Sequence, residues 1–409
     1  MAKLFISFLG TNDYTSCVYT DDDRPSPMGP VRFVQEATLD FYCRDWTNED
    51  RIVIFTTAEA YTSNWLDDGH TDAISKERKQ RQGLESCIQK RSLKPSLLTI
   101  RIPSGKSEEE IWEIFDVVFK TINHGDEIIF DVTYALRSIP LLAMVVLNYA
   151  KVLKGVKIRG IYYGAIEALG TLAYVNSLET EKRLVPVFDL AAFDSLLDWT
   201  LAISQFLEAG DARKVYKLAS MADNPIREKI MPVADHLKRF AKTMTTCRGL
   251  DITASTRELK QSLKNYNDPD QEHTKHFPPL KPLLELVHKR LDVFTEDTLG
   301  DGIRAAEWCC DHNLIQQGYT ILTEVLITHF VEKTGGDIRD YQTRQAASSK
   351  FVKIYPAYEN MLKTFRKFKD ERNDLDHAGF RSKPHQPEHF EEQLGKWLEE
   401  IKKNIESPA

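Results

Sequence analysis

The run Glu127-Ile128-Ile129-Phe130-Asp131-Val132-Thr133-Tyr134-Ala135-Leu136-Arg137-Ser138-Ile139-Pro140 decides how the first half of this chain is read. Ile128, Ile129 and Phe130 make an apolar strand. Pro140, favoured in the first turn of a helix, opens an amphipathic segment that runs to Lys154. Between strand and helix lies a polar turn. A buried Asp131 at a strand end can hold the turn's N–H groups, leaving Thr133, Arg137 and Ser138 to project above the sheet. A helix N-terminus with an arginine beside it attracts anions on electrostatic grounds. The plain alternative is a structural ion pair between Arg137 and Asp131.

Outward from this turn the same rhythm repeats up to about residue 185. Strands are predicted at Lys3–Phe8, Arg51–Phe55, Leu97–Arg101, Glu127–Asp131, Lys157–Tyr163 and Thr171–Tyr174, with amphipathic segments such as Glu108–Asn123 between them. Short β-rich runs alternating with helices predict a mostly parallel sheet covered on both faces, a Rossmann-like α/β fold whose ligands bind at strand ends. The first strand leads into Leu9-Gly10-Thr11-Asn12-Asp13-Tyr14. Gly10 permits close backbone approach, Thr11 and Asn12 supply short hydrogen-bonding groups, and Tyr14 offers a ring for a base; a tight turn that binds nothing explains the segment equally well. Because it is not a GxGxxG, a nicotinamide-dependent oxidoreductase ranks last. Thr57, with Asn64 and Trp65 nearby, and Tyr163-Gly164 also fall at strand ends and complete the candidate ligand contacts. Tyrosines in such places are more often core or rim residues.

After Val185-Pro186-Val187 strand-like runs nearly vanish. Trp199, Ile203, Phe206 and Leu207 share a helical face, as do Leu283, Leu286, Val287 and Leu291, and the last helix carries Phe390, Leu394, Trp397, Leu398 and Ile401. The segment 265–282, with four prolines and two histidines, reads as a loop or hinge. The division expected is an α/β nucleotide-sensing domain over 1–187, a helical extension over 188–300 and an all-α domain over 301–409.

The 409 residues suit two or more cores, and 42% hydrophobic with 28% charged residues is an ordinary soluble balance. A net charge of −7 argues against a general nucleic-acid coat and against stable DNA binding, though not against a local basic groove. Six scattered cysteines without a CxxC show neither a disulfide framework nor zinc spacing, so a reduced, cytoplasmic protein without a metal is expected. The longest apolar stretch, Ile139 to Leu147, spans nine residues, far short of the roughly 20 that cross a bilayer. The N-terminal residues lack a signal peptide's apolar core and cleavage site, so no membrane association is expected.

The catalytic candidate is Arg372-Asn373-Asp374-Leu375-Asp376-His377, in a stretch from Lys363 to Lys383 that holds seven Lys or Arg against four Asp or Glu. A fixed cation can hold a scissile phosphate, and an imidazole can move protons to or from a 2′-hydroxyl and the leaving oxygen. That is metal-independent RNA cleavage, with a 2′,3′-cyclic phosphate product. Five residues along an ideal helix put the two side chains about 140° apart, so either the helix distorts near Gly379 or two protomers share one cleft. Read in isolation, a solvated basic helix end with a surface histidine explains the same residues. His273, His276, His385 and His389 read as solvent-exposed. In the segment from Trp308 to Gln317, core packing explains the apolar residues, and Gln316 and Gln317 are placed to line a cleft.

Taken together, Asp131-Val132-Thr133-Tyr134-Ala135-Leu136-Arg137-Ser138 resembles the Asp-x-Thr-His-Gly-x-Arg-Ser signature of CRISPR-associated accessory proteins with a CARF (CRISPR-associated Rossmann fold) domain. The segments Phe8–Asn12 and Trp308–Gln317 also look like that family, whose C-terminal HEPN domain carries an Arg-x4–6-His motif matched here by Arg372, Asn373 and His377. Tyr134 and Ala135 stand where the family often has His and Gly. The resemblance implies a type III CRISPR antiviral effector: a homodimer, or a higher homo-oligomer, in which cyclic oligoadenylate binds the CARF pair as an allosteric activator and switches on cleavage of single-stranded RNA. Arg372 would stabilise the phosphate, His377 transfer protons and Asn373 orient one of them; Gly10, Thr11, Asn12, Tyr14, Thr57, Asp131, Thr133, Arg137, Ser138, Tyr163 and Gly164 would contact the ring. Four adenylates is the common ring size in relatives, with six as an alternative. Two other readings remain: a nucleotide-sensing regulator that cuts nothing, and a ring nuclease that degrades its own ligand in the N-terminal pocket, where no obvious base is found.

Overall fold

A computed structural model describes residues 2–66, 69–72, 74–134, 139–267, 279–355 and 359–406. The chain divides into two compact units, residues 1–195 and 196–409. In the first, eight strands among the described residues form one sheet: β1 (Lys3–Leu9), β2 (Val18–Asp21), β3 (Arg24–Pro25), β4 (Arg51–Thr56), β5 (Ser96–Arg101), β6 (Glu127–Asp131), β7 (Lys157–Gly164) and β8 (Leu184–Asp189). Their order is β3-β2-β8-β7-β6-β1-β4-β5. The five strands from β7 to β5 are parallel neighbours, and β8 joins β7 antiparallel.

Strand β1 shows why the sheet is covered twice. Every residue from Leu4 to Leu9 is buried. Phe5 and Leu9 point into one core, with Val34, Ala37 and Leu39 of α1 (Val34–Tyr42) and, beyond the short α2 (Ala58–Ala60), Leu84 and Ile88 of α3 (Leu84–Gln89). Leu4, Ile6 and Phe8 point into the other, with Ile114, Phe115 and Val118 of α4 (Glu108–Thr121) and Val146, Leu147 and Ala150 of α5 (Ile139–Lys154). Alternation with apolar residues on both faces is the mark of a strand sandwiched between helix layers. Helix α4 starts where it does because the Ser107 hydroxyl accepts the Glu110 N–H at 3.2 Å, with Glu108, Glu109 and Glu110 at the positive end of its dipole.

Five of the six predicted strands form within a residue or so of their expected bounds. The sixth does not. Thr171 instead caps α6 (Leu172–Ser177), its hydroxyl accepting the Tyr174 N–H at 3.3 Å, so a local side-chain bond overrides β-propensity. Strands β2, β3 and β8 were not foreseen; β8 contains Pro186, and the residues read as the end of the α/β region are its last strand.

The second unit is helical: α7 (Ala191–Ala209, which begins in the first unit), α8 (Arg213–Met221), α9 (Asn224–Thr245), α10 (Ile252–Asn267), α11 (Leu280–Leu291), α12 (Thr298–Asp311), α13 (Ile315–Lys333), α14 (Tyr341–Ile354), α15 (Glu359–Asp376) and α16 (Pro387–Glu406). One core runs from Trp199 of α7 to Ile401 of α16, so the helices before residue 300 share it with those after. The expected stripes pack into it, except that Leu284 rather than the exposed Leu286 faces inward on α11. Gly318 lets α16 approach α13, since a Cβ there would lie 2.7 Å from a Leu394 methyl. No helix among the described residues is long and apolar enough to cross a membrane.

Candidate nucleotide-binding turns and a candidate catalytic helix end

Strand β1 lies between β6 and β4, so the chain's crossovers diverge on either side of its C-terminal end, the place where open parallel sheets bind ligands. The Gly10 and Asp131 turns both leave the sheet there. Asp131 is fully buried and sits beside Ser7 in the β1–β6 register. Its Oδ1 accepts the Thr133 N–H at 3.0 Å and the Thr133 hydroxyl at 2.6 Å, and its Oδ2 accepts the Ser7 hydroxyl at 3.2 Å. Burial pushes the carboxyl up to about 6, and the hydrogen bonds from Thr133 and Ser7 limit the rise. Thr133 Oγ1 in turn accepts the Gly164 N–H at 2.9 Å, so one carboxyl group ties together the ends of β1, β6 and β7. Buried Gln35 of α1 donates to Ser7 Oγ at 3.1 Å and to the Phe8 carbonyl at 3.0 Å. Arg137 and Ser138 lie outside the described residues.

The Gly10 turn is held from behind. Buried Asn64 donates from Nδ2 to the carbonyls of Gly10 and Asn12, each at 2.9 Å, while its Oδ1 meets His70 Nε2 at 3.1 Å. Thr11 and Asn12 are exposed at the tip, and Asp13 beside them is ion-paired with Lys79 and Arg81. Tyr14 does not present a free face to a base. Its ring stacks on Tyr134, with centroids 3.9 Å apart, and meets Phe33 edge-on. Tyr134, in the position where the resembling family often has His, also sets its hydroxyl 3.2 Å from that of Tyr19. Gly10 has room for no side chain without moving Tyr14, whose hydroxyl would lie 2.5 Å from a Cβ. Gly164 is equally constrained, with Val34 at 2.7 Å and Tyr19 at 3.0 Å.

Thr57 caps the short helix α2, accepting the Ala60 N–H at 3.1 Å, and its carbonyl accepts from Arg101 at 3.4 Å. Tyr163 donates to Glu167 at 2.6 Å, and burial together with that carboxylate pushes its hydroxyl up to about 12. The structure therefore gathers the Gly10, Asp131 and Gly164 segments at one end of the sheet and uses Tyr14 and Thr133 as internal struts. Sequence reading missed Ser7 and Gln35. A lone serine within an apolar strand was the available signal for Ser7; Gln35 carried none.

In the helical unit, Arg372 and Asn373 lie in the last turn of α15. Arg372 Nε is ion-paired with Asp376 at 2.9 Å, and its Nη1 donates to Asn373 Oδ1 at 3.3 Å. The helix ends at Asp376, and Ala378 (φ 52°) and Gly379 (φ 71°) turn the chain through left-handed backbone. His377 keeps a helical N–H bond to the Asn373 carbonyl at 3.0 Å, and its side chain is exposed. No hydrogen bond among the described residues joins its imidazole to Arg372 or Asn373.

The loop beyond His377 is anchored by the other face of α15. Buried Asp374 accepts both the backbone N–H and Nδ1 of His385, each at 2.8 Å. Burial alone would raise its carboxyl, but these hydrogen bonds, with Arg381 nearby, hold it below the usual range. Glu371 accepts the Tyr319 hydroxyl at 2.8 Å and Trp397 Nε1–H at 2.7 Å, with His389 Nε2 at 3.2 Å. His385 and His389, read from sequence as solvated, are thus stacked 4.3 Å apart against buried carboxylates. His273 and His276 lie outside the described residues.

These features define a class: an α/β unit with a Rossmann-like strand order and polar turns at its switch point, continuing through α7 into an all-helical unit. Residues 195–296 match the family described as "CRISPR-associated protein MJ1674, second domain". The chain is also 29% identical over 241 residues to CRISPR-associated protein MJ1674 of Methanocaldococcus jannaschii, a match that takes in 56% of this chain and 33% of that relative. The chain thus spans about a third of the length of the curated relative it matches, and both similarities support a CRISPR-associated protein.

Proposed function

We propose that this chain is a cyclic-oligoadenylate-activated, metal-independent endoribonuclease of type III CRISPR defence, with a CARF-like domain sensing the ring and a HEPN-like domain cutting single-stranded RNA. The observation that carries this reading is the Arg372-Asn373-x3-His377 constellation at the end of α15, where a half-buried guanidinium and an exposed imidazole sit on consecutive turns of the chain. Arg372 holds the scissile phosphate, Asn373 orients the guanidinium, and His377 takes or returns the proton. Because the two side chains diverge on one helix, the site is completed by a second copy related by a two-fold axis. A cyclic ligand with matching symmetry would sit across the paired switch points, against the Gly10 and Asp131 turns. It activates by binding the cutting arrangement more tightly than the resting one, since equal affinity shifts nothing.

The test is cleavage of fluorogenic RNA in EDTA, with and without cyclic tetra- or hexa-adenylate, beside Arg372→Ala and His377→Ala. Cleavage that needs one ring, survives EDTA and disappears in both variants is the expected outcome. Ring binding without cleavage would overturn the nuclease assignment. It would favour a signalling regulator, a reading supported by the Arg372–Asp376 ion pair, which gives that arginine a structural role.

A further inference from the structure

Beside the catalytic helix end the helical unit contains a cavity of about 580 Å³, within the range of small-ligand sites, about 300–1,000 Å³. Its floor is apolar, built by Leu299 of α12 and by Ile321 and Val325 of α13. Gly302 lets these helices close on each other there, since a Cβ would lie 2.5 Å from a Val325 methyl. Three arginines line it. Arg344 is fully engaged, with Glu324 at 2.6 Å and the Thr328 hydroxyl at 3.0 Å. Arg248 and Arg339 are exposed, and no carboxylate pairs with either side chain among the described residues. Against the three arginines the wall carries two carboxylates, Asp251 and Glu324, and with Glu324 bound to Arg344 the lining keeps a net positive charge that suits an anion in a chain of net charge −7.

The cavity adjoins the proposed scissile position through one residue. Cys247, in its wall, has left-handed backbone (φ 53°), a conformation that costs energy in a non-glycine residue and concentrates at functional sites. Its thiol faces the Gln317 carbonyl of α13 at 3.9 Å and lies within electrostatic reach of Arg248, Arg372 and Asp376. Two residues beyond Gln317, Tyr319 of the same helix donates to Glu371, the neighbour of Arg372 in α15, so one stretch of α13 carries both the cavity wall at Cys247 and the end of α15. An apolar floor with cations at its mouth suits a nucleobase flanked by backbone phosphates.

We propose that this cavity is a nucleotide subsite of the RNA path: it takes the base next to the phosphate held by Arg372, and Arg248 and Arg339 bind neighbouring phosphates. This rests on the ribonuclease reading for its substrate, but the subsite is testable without cleavage. RNA binding is measured by fluorescence anisotropy on the full chain carrying His377→Ala, with and without Arg248→Ala plus Arg339→Ala, at several salt concentrations. Cleavage kinetics are measured on ring-activated protein carrying the two arginine substitutions alone. The expected result is an affinity loss of about ten-fold, a salt slope shallower by about 0.7 per phosphate contact removed, a KM raised by about ten-fold with kcat kept within about two-fold, and substantial rescue by Arg248→Lys plus Arg339→Lys. Unchanged affinity and KM in variants with unchanged melting would overturn the subsite while leaving the nuclease intact. RNA binding that needs both arginines in a chain that never cleaves would overturn the nuclease and keep the subsite. An absence of RNA binding would overturn both.

Discussion

Substituting Asp131 with Asn tests the energetic centre of the N-terminal site. In the folded protein this carboxyl titrates near 6, whereas its ordinary value is 3.8. Between those values the native state holds a proton that the unfolded chain has released, so stability falls as pH rises through the window and levels off above about 6. At about 1.36 kcal/mol per pH unit, the interval corresponds to about 3 kcal/mol lost between acid and neutral pH. The amide in Asp131→Asn would accept the same two Thr133 bonds through its carbonyl and cannot ionise, so this component disappears in the variant. Hydrogen exchange of the β1 and β6 amides, followed from about pH 4 to about pH 7 and corrected for intrinsic rates, reports opening of the α/β unit by itself. Wild type should lose protection across the window relative to Asp131→Asn. Parallel curves for the two proteins would refute the raised carboxyl, and with it the view that burial dominates over the Ser7 and Thr133 hydrogen bonds.

Three further outcomes follow from the same contacts. Gly164→Ala forces a methyl to within 2.7 Å of Val34 and 3.0 Å of Tyr19, and overpacking of this kind should cost about 1–3 kcal/mol in urea unfolding of the α/β unit. Asn64→Ala releases the Gly10 and Asn12 carbonyls from their shared donor; it should weaken cyclic oligoadenylate binding by about ten-fold in calorimetry, while an unchanged affinity would remove the Gly10 turn from the ligand site. Glu371→Ala strands the Trp397 indole N–H and leaves the Tyr319 hydroxyl only its longer bond to the Phe390 carbonyl at 3.4 Å, at about 1–3 kcal/mol for a donor left buried and unpaired. Calorimetric melting should show that loss, and Glu371→Gln should recover much of it.

The residues themselves determined the central part of the fold. Runs such as Leu4–Leu9 and Ile128–Phe130 are apolar on both faces, and a strand of that composition must be covered by helices on both sides whatever its neighbours. The polar turns after β1 and β6, and the Arg372–His377 spacing, were legible for the same local reason: they interrupt an otherwise periodic pattern. Tertiary structure decided what those residues touch. Tyr14 and Thr133 look like ligand contacts in one dimension; the fold shows the partners they already have, Tyr134 stacked on one, and Asp131 with the Gly164 N–H bonded to the other. His385 and His389 look solvated until α15 and α16 bring Asp374 and Glu371 against them. Strands β2 and β3 are short, β3 and β8 each contain a proline, and all three take their bonds from partners far away in the chain or at the sheet edge, so no local pattern announces them. Periodicity reports which face of an element is apolar; which buried polar group meets which partner depends on long-range packing, and only the folded chain sets it.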